Sequence, residues 1–146
     1  MSNTIPNQGE PAIALDSAYV EQLQGLAFSA MHRMPELADR LLSEIDRAQI
    51  LPTSRFPSNV VTMGSEVTFR DDVTGRVQTV ILVLPTEADI EKRRISVMTP
   101  IGVALIGLRE GASISWDTRA GEPRILTVKS VRAPDLEQAR SAAAAE

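Results

Sequence analysis

Apolar residues recur at Leu15, Tyr19, Leu23, Leu26 and Ala30, in steps of four and three, which is the spacing of one helix face. This predicts a helix from Leu15 to Ala30, weakened by Gly25. After a break at His32-Arg33-Met34-Pro35, a second stripe runs through Ala38, Leu41, Ile45 and Ala48, widened by Leu42. Asp39, Arg40, Glu44, Asp46 and Arg47 fall mostly outside it. Two amphipathic helices joined by so short a turn are expected to be antiparallel neighbours. Prolines and small polar residues then mark a linker over 52–59.

Beyond the linker the period changes. Val67 and Phe69 alternate with Glu66, Thr68 and Arg70, a half-buried strand ending at the turn-forming Asp71-Asp72-Val73-Thr74-Gly75. Val77 to Leu84 is nearly continuous in Val, Ile and Leu, as in a central strand, and Pro85 closes it. Further strands are predicted at Ile95–Met98, Ser113–Asp117 and Ile125–Val131, with a hairpin turn at Thr118–Gly121. Thr99 and Pro100 form a helix start and Gly111 a stop. The short helix between them has a stripe of Ile101, Ala104, Leu105 and Leu108, yet Val103 and Ile106 make its other side apolar too. Such a helix is either wrapped by a sheet or turned toward a partner. The layout is α+β: a flexible N-terminus over 1–14, a short coiled-coil hairpin over 15–51, the linker over 52–59, a small antiparallel sheet with one short helix over 60–132, and a flexible Ala-rich tail over 133–146.

The 146 residues suffice for one ordinary domain with an appendage. Only 3% of them are aromatic, so the core must be aliphatic. A net charge of −4 gives no basic field for sequence-independent binding to nucleic acid. With no cysteine, disulfides, thiolate zinc sites and Cys nucleophiles are excluded. Neither a signal peptide nor a run of the roughly 20 apolar residues needed to cross a bilayer is visible, and a cytoplasmic monomer is expected.

Candidate chemistry is sparse. A serine nucleophile needs a base, and the one histidine, His32, stands beside Arg33 at the hairpin tip, where an exposed turn residue is expected. Glu36 and Asp39, three apart, share a helix face and could together hold Mg²⁺. Pro35, however, marks this as a first helical turn, where acidic side chains are favoured by the unpaired amides. The glycines form no phosphate-cradling run. Lys92, Arg93 and Arg94 make the densest positive patch. No cofactor, resident metal, small-molecule substrate or membrane partner is expected.

Several segments carry a resemblance. VVTMGSEVTF at 60–69, LPTEAD at 84–89 and ISVMTPIGVALIGLREG at 95–111 resemble, in order and spacing, the C-terminal domain of the Gre transcript-cleavage factors. LLSEIDRAQIL at 41–51 and SISW at 113–116 extend the similarity toward the Gre-like branch described as regulators of nucleoside diphosphate kinase. The resemblance implies an antiparallel coiled coil followed by an FKBP-like domain, and bacterial RNA polymerase as partner, bound at the rim of its secondary channel. Carried onto this sequence, the docking surface comprises Met98, Thr99, Pro100, Val103 and Ile106, with Lys92, Arg93 and Arg94 nearby. Met98 stands where Gre factors have Asp, which removes a charge. The tip residues are His32, Arg33, Glu36 and Asp39, of which the last two repeat the spacing of the Gre catalytic acids without their neighbours. At about 15 residues per helix the hairpin reaches about 23 Å, around half the Gre length. The implied function is a non-enzymatic regulator of transcription that competes with Gre-type factors, with linked effects on nucleoside diphosphate kinase. The alternative is stimulation of transcript cleavage through Glu36 and Asp39. Prolyl isomerase activity is not expected, because Phe69 and Trp116 supply too little aromatic lining and belong to the core.

Overall fold

A computed structural model describes residues 11–117 and 123–133. Helix α1 (Ser17–Ala30) begins where the Asp16 carboxylate accepts a hydrogen bond from the Ala18 amide at 2.9 Å. Helix α2 (Pro35–Arg47) begins at the proline, which needs no amide partner there. The two pack antiparallel, Leu23, Ala27 and Ala30 facing Ala38, Leu41 and Ile45, and the alanines let the backbones approach closely. Both predicted helices are thus present, and their turn is Met31–Met34.

The flanks of the hairpin differ from expectation. Strand β1 (Ala14–Asp16) pairs in parallel with β2 (Gln49–Leu51), so both ends of the hairpin are tied together at its base. Ile13 is 4% exposed and Leu15 2%, so the segment entering α1 is core rather than a flexible lead. Four consecutive apolar residues, Ala12 to Leu15, are too few to register as periodicity, and the prolines and glycine before them masked the signal. The linker contains a 3₁₀ turn, Thr53–Arg55, whose Thr53 hydroxyl donates to the capping carboxylate of Asp16 at 2.6 Å.

A five-stranded sheet follows, built from β3 (Glu66–Asp71), β4 (Val77–Val83), β5 (Arg94–Ser96), β6 (Ser113–Asp117) and β7 (Pro123–Arg132), in the order β5-β4-β3-β7-β6. The sheet is mixed rather than antiparallel, because β5 runs parallel to β4 with Leu82 opposite Ile95. Two consecutive 3₁₀ turns between Pro85 and Lys92 carry the chain back for that parallel pairing. The predicted turn at Thr118–Gly121 and the tail beyond 133 lie outside the described residues, as do residues 1–10.

Helix α3 (Pro100–Leu105) is capped as its sequence implies: the Thr99 hydroxyl accepts from the Gly102 amide at 3.0 Å and donates to the Ser96 carbonyl at 2.8 Å. It ends well before Gly111. Gly107, at φ +85°, takes the left-handed turn just past it, and its carbonyl accepts from the Ala14 amide while its amide donates to the Val61 carbonyl. Of its residues only Pro100 and Ile101 reach the surface; Gly102 through Leu105 are buried by the sheet, and α2 packs against them from the other side. Hairpin and sheet therefore share one hydrophobic core.

Candidate partner-binding surfaces

The hairpin tip carries no enclosed chemistry. His32, Arg33, Glu36 and Asp39 are all exposed, and no third carboxylate or histidine joins the acidic pair among the described residues. Glu36 lies in the first turn of α2, where Met34 provides no side-chain cap, so its charge faces the unpaired amides of that turn. The helices have 14 and 13 residues, an extent of about 20 Å. Much of that length lies against the sheet domain, with Arg40 donating from Nη2 to the Ser115 carbonyl of β6 at 3.2 Å. Only about one and a half turns of α2 precede Arg40, so the tip projects about 10 Å beyond this anchor. Phe28, 62% exposed, and Met31, 36% exposed, put apolar surface near the tip that the α1 stripe does not include. The signal was in the sequence, since both fall off the predicted stripe, Phe28 two positions past Leu26 and Met31 one past Ala30.

At the base of the hairpin a charged group is withdrawn from water. Glu44 is buried, and Arg47 meets it at 2.7 Å while Arg40 stands at 3.7 Å. Arg47 also donates from Nη1 to the Pro11 carbonyl at 2.6 Å, fastening the incoming chain to α2. These contacts position the hairpin; they leave no charge free for chemistry.

The docking surface expected around α3 is only partly at the surface. Val103 is 1% exposed and Ile106 2%, so both are core residues and are removed from it. Their burial answers the question raised by an all-round apolar helix: the sheet and α2 cover both sides. Met98 is buried too, at 8%. Its amide donates to the Ser96 hydroxyl at 2.9 Å, which shapes the turn into α3. Thr99 and Pro100 are half-buried and stay accessible. Lys92 and Arg93 are exposed and Arg94 half-buried, all in or next to the edge strand β5.

A cavity of about 240 Å³ opens between α3 and the sheet, with Phe69, Ile101, Trp116 and Leu126 as floor and Arg76 and Arg124 at the mouth. Phe69 is core, as expected, whereas Trp116 is half-buried and packs on the core from its rim. The Arg124 guanidinium is held by Asp71 at 2.7 Å. Partial burial works against ionised Asp71, but the amides of Thr74 and Val73 and the Arg124 charge outweigh it and hold the carboxyl below its ordinary value. Asp72 is held low by the Thr127 hydroxyl, at 2.6 Å, and by Arg70, at 2.8 Å. Both acids are thus committed to fastening the β3–β4 turn to β7.

Comparison with known proteins supports the fold. Residues 56–133 match the family described as "Transcription elongation factor, GreA/GreB, C-term", and residues 11–51 match "Rnk N-terminus". The chain is 37% identical over 111 residues to the regulator of nucleoside diphosphate kinase of Escherichia coli strain K12, covering 76% of this chain and 82% of that protein. It is 35% identical over 89 residues to transcription elongation factor GreA of Beijerinckia indica, covering 61% of this chain and 54% of that factor. Against that longer relative the chain spans about half the length. A solved GreA/GreB elongation factor from Nitrosomonas europaea superposes with a TM-score of 0.66 at 30% identity, over 82% of this chain and 98% of that one.

Proposed function

We propose that this chain, which belongs to the GreA/GreB elongation-factor family and carries an Rnk-type N-terminus, is a non-enzymatic regulator that binds bacterial RNA polymerase at its secondary channel and competes there with Gre-type factors. Its relatives are named as elongation factors and regulators. The observation that carries the reading is the short hairpin laid against the sheet domain, with Arg40 anchored on Ser115. A factor docked through Thr99 and Pro100 occupies the channel rim, while a tip projecting about 10 Å past the anchor leaves Glu36 and Asp39 short of an active centre deep inside. Occupancy without delivery of acids is competition rather than catalysis. An influence on nucleoside diphosphate kinase, the activity for which the Escherichia coli relative is named, follows through transcription on this reading.

The test uses purified polymerase from the same organism and the full chain. Binding that a Gre-type factor displaces, with no added shortening of RNA in backtracked complexes, is the expected result. RNA shortening that disappears when Glu36 and Asp39 are both changed to Ala would replace this reading with the cleavage-factor one.

A further inference from the structure

Residues 89–94 form a closed knob at the outer edge of the sheet. Asp89 and Arg94 exchange two backbone hydrogen bonds, at 2.8 and 2.9 Å, which seal its neck. Inside it the Lys92 amide donates to the Asp89 carbonyl, the Arg93 amide to the Ile90 carbonyl, and the Glu91 amide to the Asp89 carboxylate. The Arg93 carbonyl then accepts from the Ile81 amide at 2.7 Å, fixing the knob to β4. Its shape is therefore set before any partner arrives.

What the knob displays is unusual for a solvated loop. Ile90 is 88% exposed, the most exposed of the large hydrophobic side chains among the described residues. Arg93 sits at φ +60°, the only residue other than glycine at positive φ there. Glycine would relax that position at no steric cost, and the arginine side chain contributes no ion pair or hydrogen bond within the described residues. Lys92 beside it has no ion-pair partner there either. A strained backbone holding a side chain with no internal task is a feature of binding surfaces.

We propose that the Ile90–Arg93 knob is a second docking point, in which Ile90 enters an apolar socket on the partner protein and Lys92 and Arg93 pair with carboxylates at the rim of that socket. This rests on the polymerase-binding function proposed above and names the chemistry of its contact surface: apolar at the centre, acidic around it. The rim carboxylates must lie toward Lys92 and Arg93, because the exposed Glu91 of the same turn carries a negative charge that would repel them. The knob is joined to Thr99 and Pro100 along the chain by the edge strand β5 and the buried pair Val97 and Met98.

The test measures affinity of the full chain for immobilised RNA polymerase at two salt concentrations, with thermal melts of each variant as the folding control. Ile90→Ser should weaken binding about tenfold without lowering Tm, as expected of an exposed anchor. Arg93→Gly should raise Tm by about 2 °C through relief of strain while weakening binding, two changes of opposite benefit that a structural role would not produce. Lys92→Glu with Arg93→Glu should weaken binding most at low salt. Variants that bind like the unaltered chain overturn the knob as a contact and leave polymerase binding standing; an unaltered chain that does not bind overturns both.

Discussion

Gly107 and Gly102 each occupy a place where a side chain does not fit. At Gly107 a Cβ would lie 2.9 Å from that of Ile13, and at Gly102 a Cβ would lie 2.8 Å from the Cα of Val97. The first lets β1 reach the turn after α3, and the second lets α3 sit directly on the strand before it. Neither need is legible in the sequence, because the atoms each glycine makes room for belong to other segments of the chain. Asp71 is different, since its place in a turn signature is plain, but its bond to Arg124, fifty-three positions on, is not. Because its carboxyl is held below the ordinary 3.8, its contribution to stability is fully present above that value and is lost as pH falls through the lowered folded value. Asp71→Asn should therefore cost about 1 kcal/mol near neutral pH and progressively less below about pH 4, by urea titration at a series of pH values. An undiminished difference at pH 3 would contradict the assignment.

Among the elements, α1, α2 and all five sheet strands were readable, from apolar periods or from short apolar runs bounded by turn residues. Strands β1 and β2, with three residues each, were not. A three-residue strand exists only because something pairs with it, here each with the other and β1 with Gly107 as well. The parallel setting of β5 likewise depended on the path of the preceding turns, which composition does not reveal. Ile13 gives the sharpest check of this level. Ile13→Ala should destabilise the protein by about 3 kcal/mol in denaturant unfolding, the cost of a core cavity, whereas a residue of a flexible lead would cost nothing measurable.

For the whole molecule the decisive feature is that hairpin and sheet domain share a core through Leu23, Leu41, Leu105 and their neighbours. The two should unfold in a single transition, so that the fluorescence of the sole tryptophan, Trp116 in β6, and the far-ultraviolet helix signal give one midpoint on heating. Two separated midpoints would mean independent units. The same packing decided the candidate site. It turned Val103 and Ile106 inward and kept the hairpin close to the domain, while Thr99, Pro100, Ile90 and Arg93 were left accessible at the surface. By itself the sequence determined the helix pair, the short capped helix, most strands and the family, because periodicity, caps and ordered motifs are local properties of the chain. Which apolar residues are covered, how far the tip extends and which loop is rigid were decided only by the tertiary structure, since burial and reach depend on partners distant in sequence.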